Sequence, residues 1–379
     1  MKKRCLAILL AVSMVVPLAA CSSQNSSSTT SGAAANTAST AETSGGAAAA
    51  NGGSNEIWYS TKNSTETVHV AMAKGVTDAA KMLGYDGKVT VAESDAAKQN
   101  DQMNNLIDNV KPKAIILNPY DSDSVSDVIT KCNNAKIPLA VIDNQANNAN
   151  VAVSVLFDSI ASGKAAAEEA IRLLTQKYGK PKGVVVDLYG EVVSQVFKDR
   201  AKGFEDEIKK YSDIKLISVL GAPQADVATS ALNNIIADSK SRNETIDLIN
   251  TPTDTATLGA VEALKTNDMW YPIGNDKHVF VISHDGASQI LDDIRDNYVD
   301  SEIVIDVLGV GGIAAEVLNE YTVKGKEIPT SGTFEPRGKY LNKKVEFSKG
   351  NCGPTIVLAP LKVTKTNADD PLIWGNVVK

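Results

Sequence analysis

The sequence predicts an α/β fold made of two lobes, each built on a parallel sheet. From Ile57 onward, apolar runs of strand length alternate with amphipathic stretches of helix length. Most of these apolar runs are continuous and do not alternate with polar residues, which is typical of parallel strands covered by helices on both faces. About eight strand–helix units exceed what one open sheet holds comfortably, so two sheets are expected.

The elements follow one another in a regular order along the chain. Short β-branched runs define the strands, and apolar residues at three- and four-residue spacing define the helices. The predicted strands are Lys88–Ala92, Ala114–Leu117, Leu139–Ile142, Gly183–Leu188, Leu216–Val219, Leu248–Ile249, Val279–Ile282, Ile303–Leu308, Val345–Phe347 and Thr355–Leu358. The predicted helices are Val70–Leu83, Asn100–Val110, Ser124–Asn134, Ser162–Tyr178, Val196–Lys210, Asp226–Ser239, Ala256–Lys265 and Gly312–Val323.

Composition and charge exclude several classes of protein. The 379 residues include 38 Lys and Arg against 45 Asp and Glu, which gives a formal charge of −7. This acidic balance argues against nucleic acid as a partner, because phosphate binding needs a basic surface. Hydrophobic residues make up 43%, a globular value, and four cysteines are too few for a disulfide scaffold.

The N-terminus has the organisation of a targeting signal. Positive residues at 2–4 precede the uncharged stretch Leu6–Ala20, which is too short to span a membrane comfortably. The small residues before Cys21 complete a resemblance to bacterial lipoprotein signals, in which this cysteine is lipidated. We predict a signal peptide over residues 1–20. Its removal takes away three positive charges, so the formal charge changes from −7 to −10. An ordinary secretory signal with an incidental cysteine is the alternative.

The segment after the signal is predicted to be a disordered tether. Of the 33 residues at 22–54, 28 are Ala, Ser, Gly or Thr, and Glu42 carries the only charge. Such a segment buries too little apolar surface to offset its ordering entropy, so we expect it to be disordered. The lipidated Cys21 and this linker together occupy residues 21–55. The expected location is therefore the extracytoplasmic face of the cell membrane. NAD and ATP are scarce there, which counts against a dinucleotide-dependent enzyme.

Polar residues follow several predicted strands. In open α/β sheets, ligands bind beyond the carboxyl ends of the strands, so these residues are the first candidates for a site. The relevant stretches are Asn118–Ser124, Asp143–Gln145, Thr253–Asp254 and Ser283–Gly286. A capped turn before a helix explains Asp121–Ser124 without any ligand.

Six segments together resemble the ribose/galactose-type periplasmic binding proteins, the type 1 sugar-binding components of ABC importers. The segments occur in the family's order and spacing across nearly all of residues 56–330. They are Lys81–Tyr85, Asn118–Ser124, Ala135–Gln145, Asp199–Phe204, Thr253–Leu264 and Ser283–Gly286.

The resemblance implies two Rossmann-like lobes joined by a three-strand hinge that closes over a ligand. The N-terminal lobe would comprise 56–157 plus 307–335, and the C-terminal lobe 158–306 plus 336–379. Hinge crossings are expected near Phe157-Asp158, near Val304–Val307, and between Glu335 and Leu341.

The resemblance also assigns ligand-binding residues. Asp143, Arg200 and Asp285 match the family's sugar-binding acids and arginine. Carboxylates accept hydroxyl protons and a guanidinium donates in a fixed fork, so this set suits a polyhydroxylated ligand. Further expected ligand contacts, at several of which the chain departs from the family pattern, are Glu66, His69, Asn144, Thr253, Asp254, His284 and Asp306.

The largest departure is in the first loop, where the family stacks an aromatic pair on the sugar. Glu66, Val68 and His69 occupy those positions here. Replacements for the aromatic pair could come from Trp58, Tyr59, Tyr120, Tyr189 or Trp270, and another stacking position falls near Pro223.

Two acids pose a charge problem in the expected cleft. If Glu66 and Asp306 both faced a neutral ligand, their charge would be uncompensated, which is costly on burial. Either the ligand bears an amine or is unusually rich in hydroxyls, or one of the acids points to solvent. A histidine in the cleft, His69 or His284, would make binding pH-sensitive.

Several patterns imitate other functions. Gly309–Ala314 matches a dinucleotide fingerprint, but no βαβ unit and no acidic strand end follow it, so we interpret it as a Gly-rich crossing. Ser283-His284-Asp285 cannot act as a catalytic triad, because adjacent residues cannot align nucleophile, base and orienter. The three histidines lack metal-ligand spacing, and no cofactor is predicted.

The sequence therefore predicts a monomeric, lipid-anchored solute-binding protein that is not an enzyme. It would deliver a sugar or polyol to an ABC importer permease. The alternatives are a furanosyl signalling molecule, a nucleoside, or service to a sensor in place of an importer. Cys132 and Cys352 are expected to be free thiols, and Trp374 is expected to anchor the C-terminal tail to a lobe.

Overall fold

The computed structural model describes residues 54–191, 194–220 and 224–378. The predicted signal peptide 1–20, Cys21, the tether up to residue 53, and Pro223 lie outside these residues. Within the described part of the chain, no helix is both long and apolar enough to cross a bilayer.

Strands and helices alternate from β1 to β4 and again from β5 to α9, whereas β4 and β5, and then β11 to β14, follow one another with no helix between them. The strands are β1 (Glu56–Thr61), β2 (Asp86–Val91), β3 (Ala114–Leu117), β4 (Leu139–Ile142), β5 (Val153–Phe157), β6 (Gly183–Tyr189), β7 (Ile214–Leu220), β8 (Leu248–Asn250), β9 (Phe280–Asp285), β10 (Ser301–Val304), β11 (Thr333–Phe334), β12 (Val345–Gly350), β13 (Gly353–Leu358) and β14 (Leu361–Val363). The helices are α1 (Thr67–Met82), α2 (Ala96–Asn105), α3 (Ser126–Asn134), α4 (Ser159–Tyr178), α5 (Gln195–Ile208), α6 (Ala225–Ser241), α7 (Asp254–Thr266), α8 (Ser288–Arg295) and α9 (Val307–Glu320).

Two sheets form the cores of two lobes, which confirms the predicted fold class. The first sheet has the order β11-β12-β13-β5-β4-β3-β1-β2, and the second has the order β14-β10-β9-β8-β6-β7. The central strands of both sheets pair in parallel. Antiparallel pairs occur where the tail strands join, between β12 and β13 and between β10 and β14. The sheets are therefore mixed at one edge, which the sequence analysis did not predict.

The boundary at residue 336 needs correction. Residues 336–379 were assigned to the C-terminal lobe, but β13 pairs in parallel with β5 of the first sheet, with Thr355 opposite Ser154. Only β14 joins the second sheet. The last crossing between the sheets therefore lies between Leu358 and Leu361, not between Glu335 and Leu341.

The predicted strand Ile303–Leu308 needs correction, because these residues do not form one strand. β10 ends at Val304, and α9 begins at Val307. The carboxylate of Asp306 caps this helix by accepting a hydrogen bond from the Gly309 amide at 3.0 Å. A cap of this kind satisfies a free amide of the first helical turn, and it ends the strand.

The glycines of the apparent dinucleotide fingerprint serve helix packing. Gly311 faces Val76 of α1, and a Cβ at Gly312 would overlap the Tyr340 hydroxyl. Helix α9 thus lies close to α1 and to the segment around Tyr340.

As predicted, the two cysteines of the body are free thiols and are not paired with each other. Cys132 and Cys352 are both buried free thiols in the core on one face of the first sheet. Their sulfurs lie 3.3 and 3.0 Å from the carbonyl oxygens of Ile137 and Ala146.

Candidate functional site

A cavity lies between the lobes at the carboxyl ends of the parallel strands. The strand order changes direction at β1–β3 in one sheet and at β6–β8 in the other, and ligands of open α/β sheets bind at such points. The cavity has a volume of about 50 Å³. It is lined by Lys62, Asn63, Glu66, Val68, His69, Met72, Ser94, Tyr120, Asp143, Glu191, Ser194, Val196, Phe197, Arg200, Gln224, Thr253, Asp285 and Ile305.

Asp143 follows β4 and is the acid that the first lobe contributes. Its backbone has φ 59°, in the left-handed region that residues other than glycine adopt uncommonly. Its Oδ2 accepts hydrogen bonds from Lys62 Nζ at 2.9 Å and from Asn118 Nδ2 at 3.0 Å. Burial alone would raise the pKa of Asp143, but the charge of Lys62 and these hydrogen bonds outweigh it and the pKa is lowered. Asp143 is therefore a buried, ionised acceptor.

Asp285 ends β9 and is the corresponding acid of the second lobe. Its φ is 103°, and its Oδ1 lies 3.3 Å from Arg200 Nη1. Burial raises the pKa of Asp285, and the charge of Arg200 offsets part of that rise. Arg200 also donates to the Pro252 carbonyl, and its Nε is buried without a partner.

Helix packing holds Arg200 in place. Gly163 on α4 faces the turn of α5 that carries Arg200, and a Cβ at Gly163 would overlap the Arg200 carbonyl oxygen. The absence of a side chain lets the two helices approach closely, which fixes the origin of the guanidinium.

Glu66 and His69 enter the cavity from the start of α1. Glu66 Oε1 accepts a hydrogen bond from Asn63 Nδ2 at 2.8 Å and lies 3.9 Å from His69 Nε2. Burial raises the pKa of Glu66. Burial, together with the nearby charge of Lys62, lowers the pKa of His69 to about 3. His69 is therefore neutral at physiological pH, and it does not supply the pH sensitivity expected of a cleft histidine.

A model of the periplasmic binding protein domain matches residues 57–327, well over half of the chain. This chain belongs to the periplasmic binding protein family. The domain match spans β1 to the segment after α9, so it includes the carboxyl strand ends that line the cavity.

Curated relatives cover most of this binding protein. The ribose import binding protein of Salmonella typhimurium strain LT2 is 25% identical over 262 residues, which are 68% of this chain and 82% of the relative. The D-apiose import binding protein of Paraburkholderia graminis is 28% identical over 283 residues, 74% of this chain and 83% of the relative.

Solved structures show the same fold. A solute-binding protein of an ABC transporter from Bacillus halodurans C-125, with bound myo-inositol, has a TM-score of 0.69 and 20% sequence identity. The match covers 86% of this chain and 100% of that protein. A galactofuranose-binding protein has a TM-score of 0.70 and 19% identity over 85% of this chain and 99% of its own.

Six of the predicted site residues of this binding protein surround the cavity. Besides the two aspartates and their arginine, Thr253 reaches it from the turn before α7, where its Oγ1 also accepts from the Ala256 amide at 3.1 Å. The six are Glu66, His69, Asp143, Arg200, Thr253 and Asp285.

Two predicted contacts, Asn144 and His284, lie outside the cavity because other protein groups bind them. Asn144 donates to the Pro119 carbonyl at 3.0 Å, and its Oδ1 accepts from the Ser194 hydroxyl at 3.1 Å. That second hydrogen bond joins the first lobe to the second. His284 points away, with Nδ1 2.8 Å from the Thr251 carbonyl oxygen.

The acids Asp254 and Asp306 also lie outside the cavity. Asp254 Oδ2 accepts from the Ala287 amide at 2.9 Å. Besides its helix cap, Asp306 accepts from the backbone amide of Asn342 at 2.7 Å. Both carboxylates therefore bind backbone, and Asp306 does not add its charge to the cleft.

The sequence analysis missed several cavity residues, of which Lys62 matters most. Lys62 and Asn63 directly follow β1. The sequence of β1 is Glu-Ile-Trp-Tyr-Ser-Thr, and because it contains polar residues it was not predicted as a strand. Had β1 been recognised, inspection of strand ends would have found both residues. Glu191 follows β6 and adds a further acid.

The aromatic side chains that line the cavity are those of Tyr120 and Phe197. Of the five candidate rings, Tyr120 alone lines the cavity. Trp58 donates to Glu56 Oε2 at 2.8 Å, and Trp270 stacks on Tyr298 with the ring centroids 5.1 Å apart. Tyr59 is buried in the core, and Tyr189 lines a separate surface hollow.

Proposed function

We propose that this chain is an extracytoplasmic solute-binding lipoprotein of an ABC importer and that its ligand is a sugar or polyol. The observation that carries the proposal is the convergence of two ion pairs, one from each lobe, on a single small cavity. Lys62 and Asp143 supply one pair, and Arg200 and Asp285 supply the other.

This arrangement matches the chemistry of a polyhydroxylated ligand. Each hydroxyl is both donor and acceptor, so it can donate to a carboxylate while it accepts from an ammonium or guanidinium. Charge-assisted hydrogen bonds of this kind contribute about 1.5–3 kcal/mol each. Because each of these four charges already has a partner of opposite sign, a neutral ligand can bind them without leaving any of the four uncompensated.

The relatives support the same class of ligand, since their names include ribose and D-apiose, and a third relative is a xylitol-binding protein. Binding would be followed by presentation of both lobes to a membrane permease. The hydrogen bond between Ser194 and Asn144 would hold the lobes together in that closed form.

Titration calorimetry against a panel of pentoses, hexoses and polyols tests the ligand class. The panel includes D-ribose, D-apiose, L-arabinose, xylitol and myo-inositol, with adenosine as a nucleoside arm. We expect heat from at least one neutral sugar or polyol. If adenosine alone binds, or if nothing in the panel binds, the assigned ligand class is wrong.

The lipid anchor is tested separately, because it depends on residues outside the described ones. Expression in a bacterial host with labelled palmitate should label the wild-type protein and leave Cys21→Ser unlabelled. Labelling of both proteins, or of neither, would contradict lipidation at Cys21.

A further inference from the structure

The loop Asp285–Ala287 carries the second-lobe acid into the cavity, and its backbone is in an unusual conformation. Asp285 has φ 103° and Gly286 has φ 113°, a region that a residue with a side chain adopts only under constraint. Something in the protein must therefore hold Asp285 in this conformation.

Three buried side chains from distant elements bind consecutive backbone groups of this loop. Trp374 Nε1 donates to the Asp285 carbonyl oxygen at 2.7 Å. Glu302 Oε1 accepts from the Gly286 amide at 2.9 Å, and Asp254 Oδ2 accepts from the Ala287 amide at 2.9 Å. Glu302 is fully buried, while Trp374 and Asp254 are 2% and 5% exposed, so water does not replace these partners readily.

Trp374 differs from the two carboxylates in its origin. It belongs to the C-terminal tail, beyond residues 57–327 that the family domain matches. Its ring belongs to the same buried hydrophobic cluster as Ala287 and Ile305. The tail fits the loop closely, because a Cβ at Gly375 would overlap the Gly286 carbonyl oxygen.

We propose that Trp374 is a positioning residue for Asp285, so that the C-terminal tail sets the ligand affinity of the cleft. The indole N–H fixes the orientation of the peptide group between Asp285 and Gly286, and this orientation holds the carboxylate beside Arg200. Without the indole donor, the buried Asp285 carbonyl keeps only the long 3.4 Å hydrogen bond from the Ile305 amide, and the loop relaxes toward ordinary φ values. The affinity part of this inference rests on the proposed function.

Hydrogen exchange tests the positioning role without any ligand. Trp374→Phe keeps most of the ring and removes the indole donor, and the peptide containing residues 285–288 should then exchange about tenfold faster. Trp58→Phe is the matched control, because it removes an indole hydrogen bond to Glu56 on β1, outside the cavity. Unchanged exchange in Trp374→Phe, or equal acceleration of this peptide in Trp58→Phe, would overturn the proposal.

Folding of the variant is checked by circular dichroism. Should Trp374→Phe fail to fold, exchange in the unaltered protein decides. Slow exchange of the Trp374 indole N–H in the ligand-free protein supports a persistent hydrogen bond to the Asp285 carbonyl. Exchange as fast as in an unprotected indole refutes it.

Calorimetry with the best-binding panel sugar tests the effect on affinity. We expect Trp374→Phe to weaken binding about tenfold and Trp58→Phe to leave it unchanged. In an Asp285→Asn background, the added Trp374→Phe change should weaken binding less than about twofold, because the positioned carboxylate is gone. A loss of the same size in both backgrounds would contradict the positioning role. If no panel sugar binds the wild type, the proposed function fails, and hydrogen exchange still decides the role of Trp374.

Discussion

The two cavity aspartates occupy equivalent places in the two lobes and have opposite electrostatic behaviour. Asp143 and Asp285 each end or follow a parallel strand, and each has a positive φ. Asp143 accepts from both Lys62 and Asn118, and its pKa is lowered. Asp285 faces Arg200 at a longer distance, and burial raises its pKa. The number and closeness of donors, more than burial itself, decide which acid remains firmly ionised.

The largest expected effect is that of removing Arg200. Arg200→Met leaves Asp285 buried without its charged partner, a change that typically costs about 3–5 kcal/mol. Lys62→Met should cost less, because Asn118 would still donate to Asp143. Urea denaturation of both variants measures the difference. A larger loss of unfolding free energy in Lys62→Met than in Arg200→Met would show that the comparison of the two acids is wrong.

The second effect is a pH dependence of opposite sign at the two acids. The pKa of Asp143 is lowered in the folded protein, so its contribution to stability is present above its unfolded pKa and is lost as the pH falls through the folded pKa. The pKa of Asp285 is raised, so stability falls as the pH rises from the ordinary aspartate pKa of 3.8 through the higher folded value.

Thermal melts between about pH 3 and pH 8 check both signs. Asp143→Asn should reduce the drop in melting temperature that the wild type shows as the pH falls toward 3. Asp285→Asn should reduce the drop that the wild type shows as the pH rises above 3.8. Wild-type and variant curves that stay parallel over the whole range would contradict the assigned shifts.

The smallest expected effect is that of Glu66, which belongs to neither ion pair. Glu66→Gln removes its charge and retains Oε1, the acceptor of the Asn63 hydrogen bond. Affinity for a neutral sugar should stay within about threefold of wild type, since one neutral hydrogen bond is worth about 1 kcal/mol or less. Calorimetry at pH 7 measures this change in affinity. A loss above tenfold would indicate that Glu66 binds a positively charged group of the ligand.

The strand–helix order and three of the central site residues could be predicted from the sequence. Long apolar runs mark buried parallel strands, and Asp143, Arg200 and Asp285 were assigned through the family resemblance, because they lie in the segments that carry it. Asp306 could not be assigned correctly, because an acid after an apolar run can face a ligand or cap the next helix. The distinction depends on where Asn342 places its amide, and this contact forms only in the folded protein.

Lys62 and Trp374 illustrate a second limit. The strand before Lys62 contains polar residues, so its end was not recognisable as a site. The tail that carries Trp374 was predicted only to anchor to a lobe, since no pattern records which carbonyl an indole will meet. Long-range pairings of this kind are set by tertiary packing and leave no periodicity in the sequence.

The pairing of β13 with β5 has a consequence for how the protein folds. Thr355, near the end of the chain, aligns with Ser154 in the first sheet. Contacts so far apart in sequence form slowly, because a very long loop must close before they contribute any stability. The first sheet therefore cannot be completed until almost the whole chain is available.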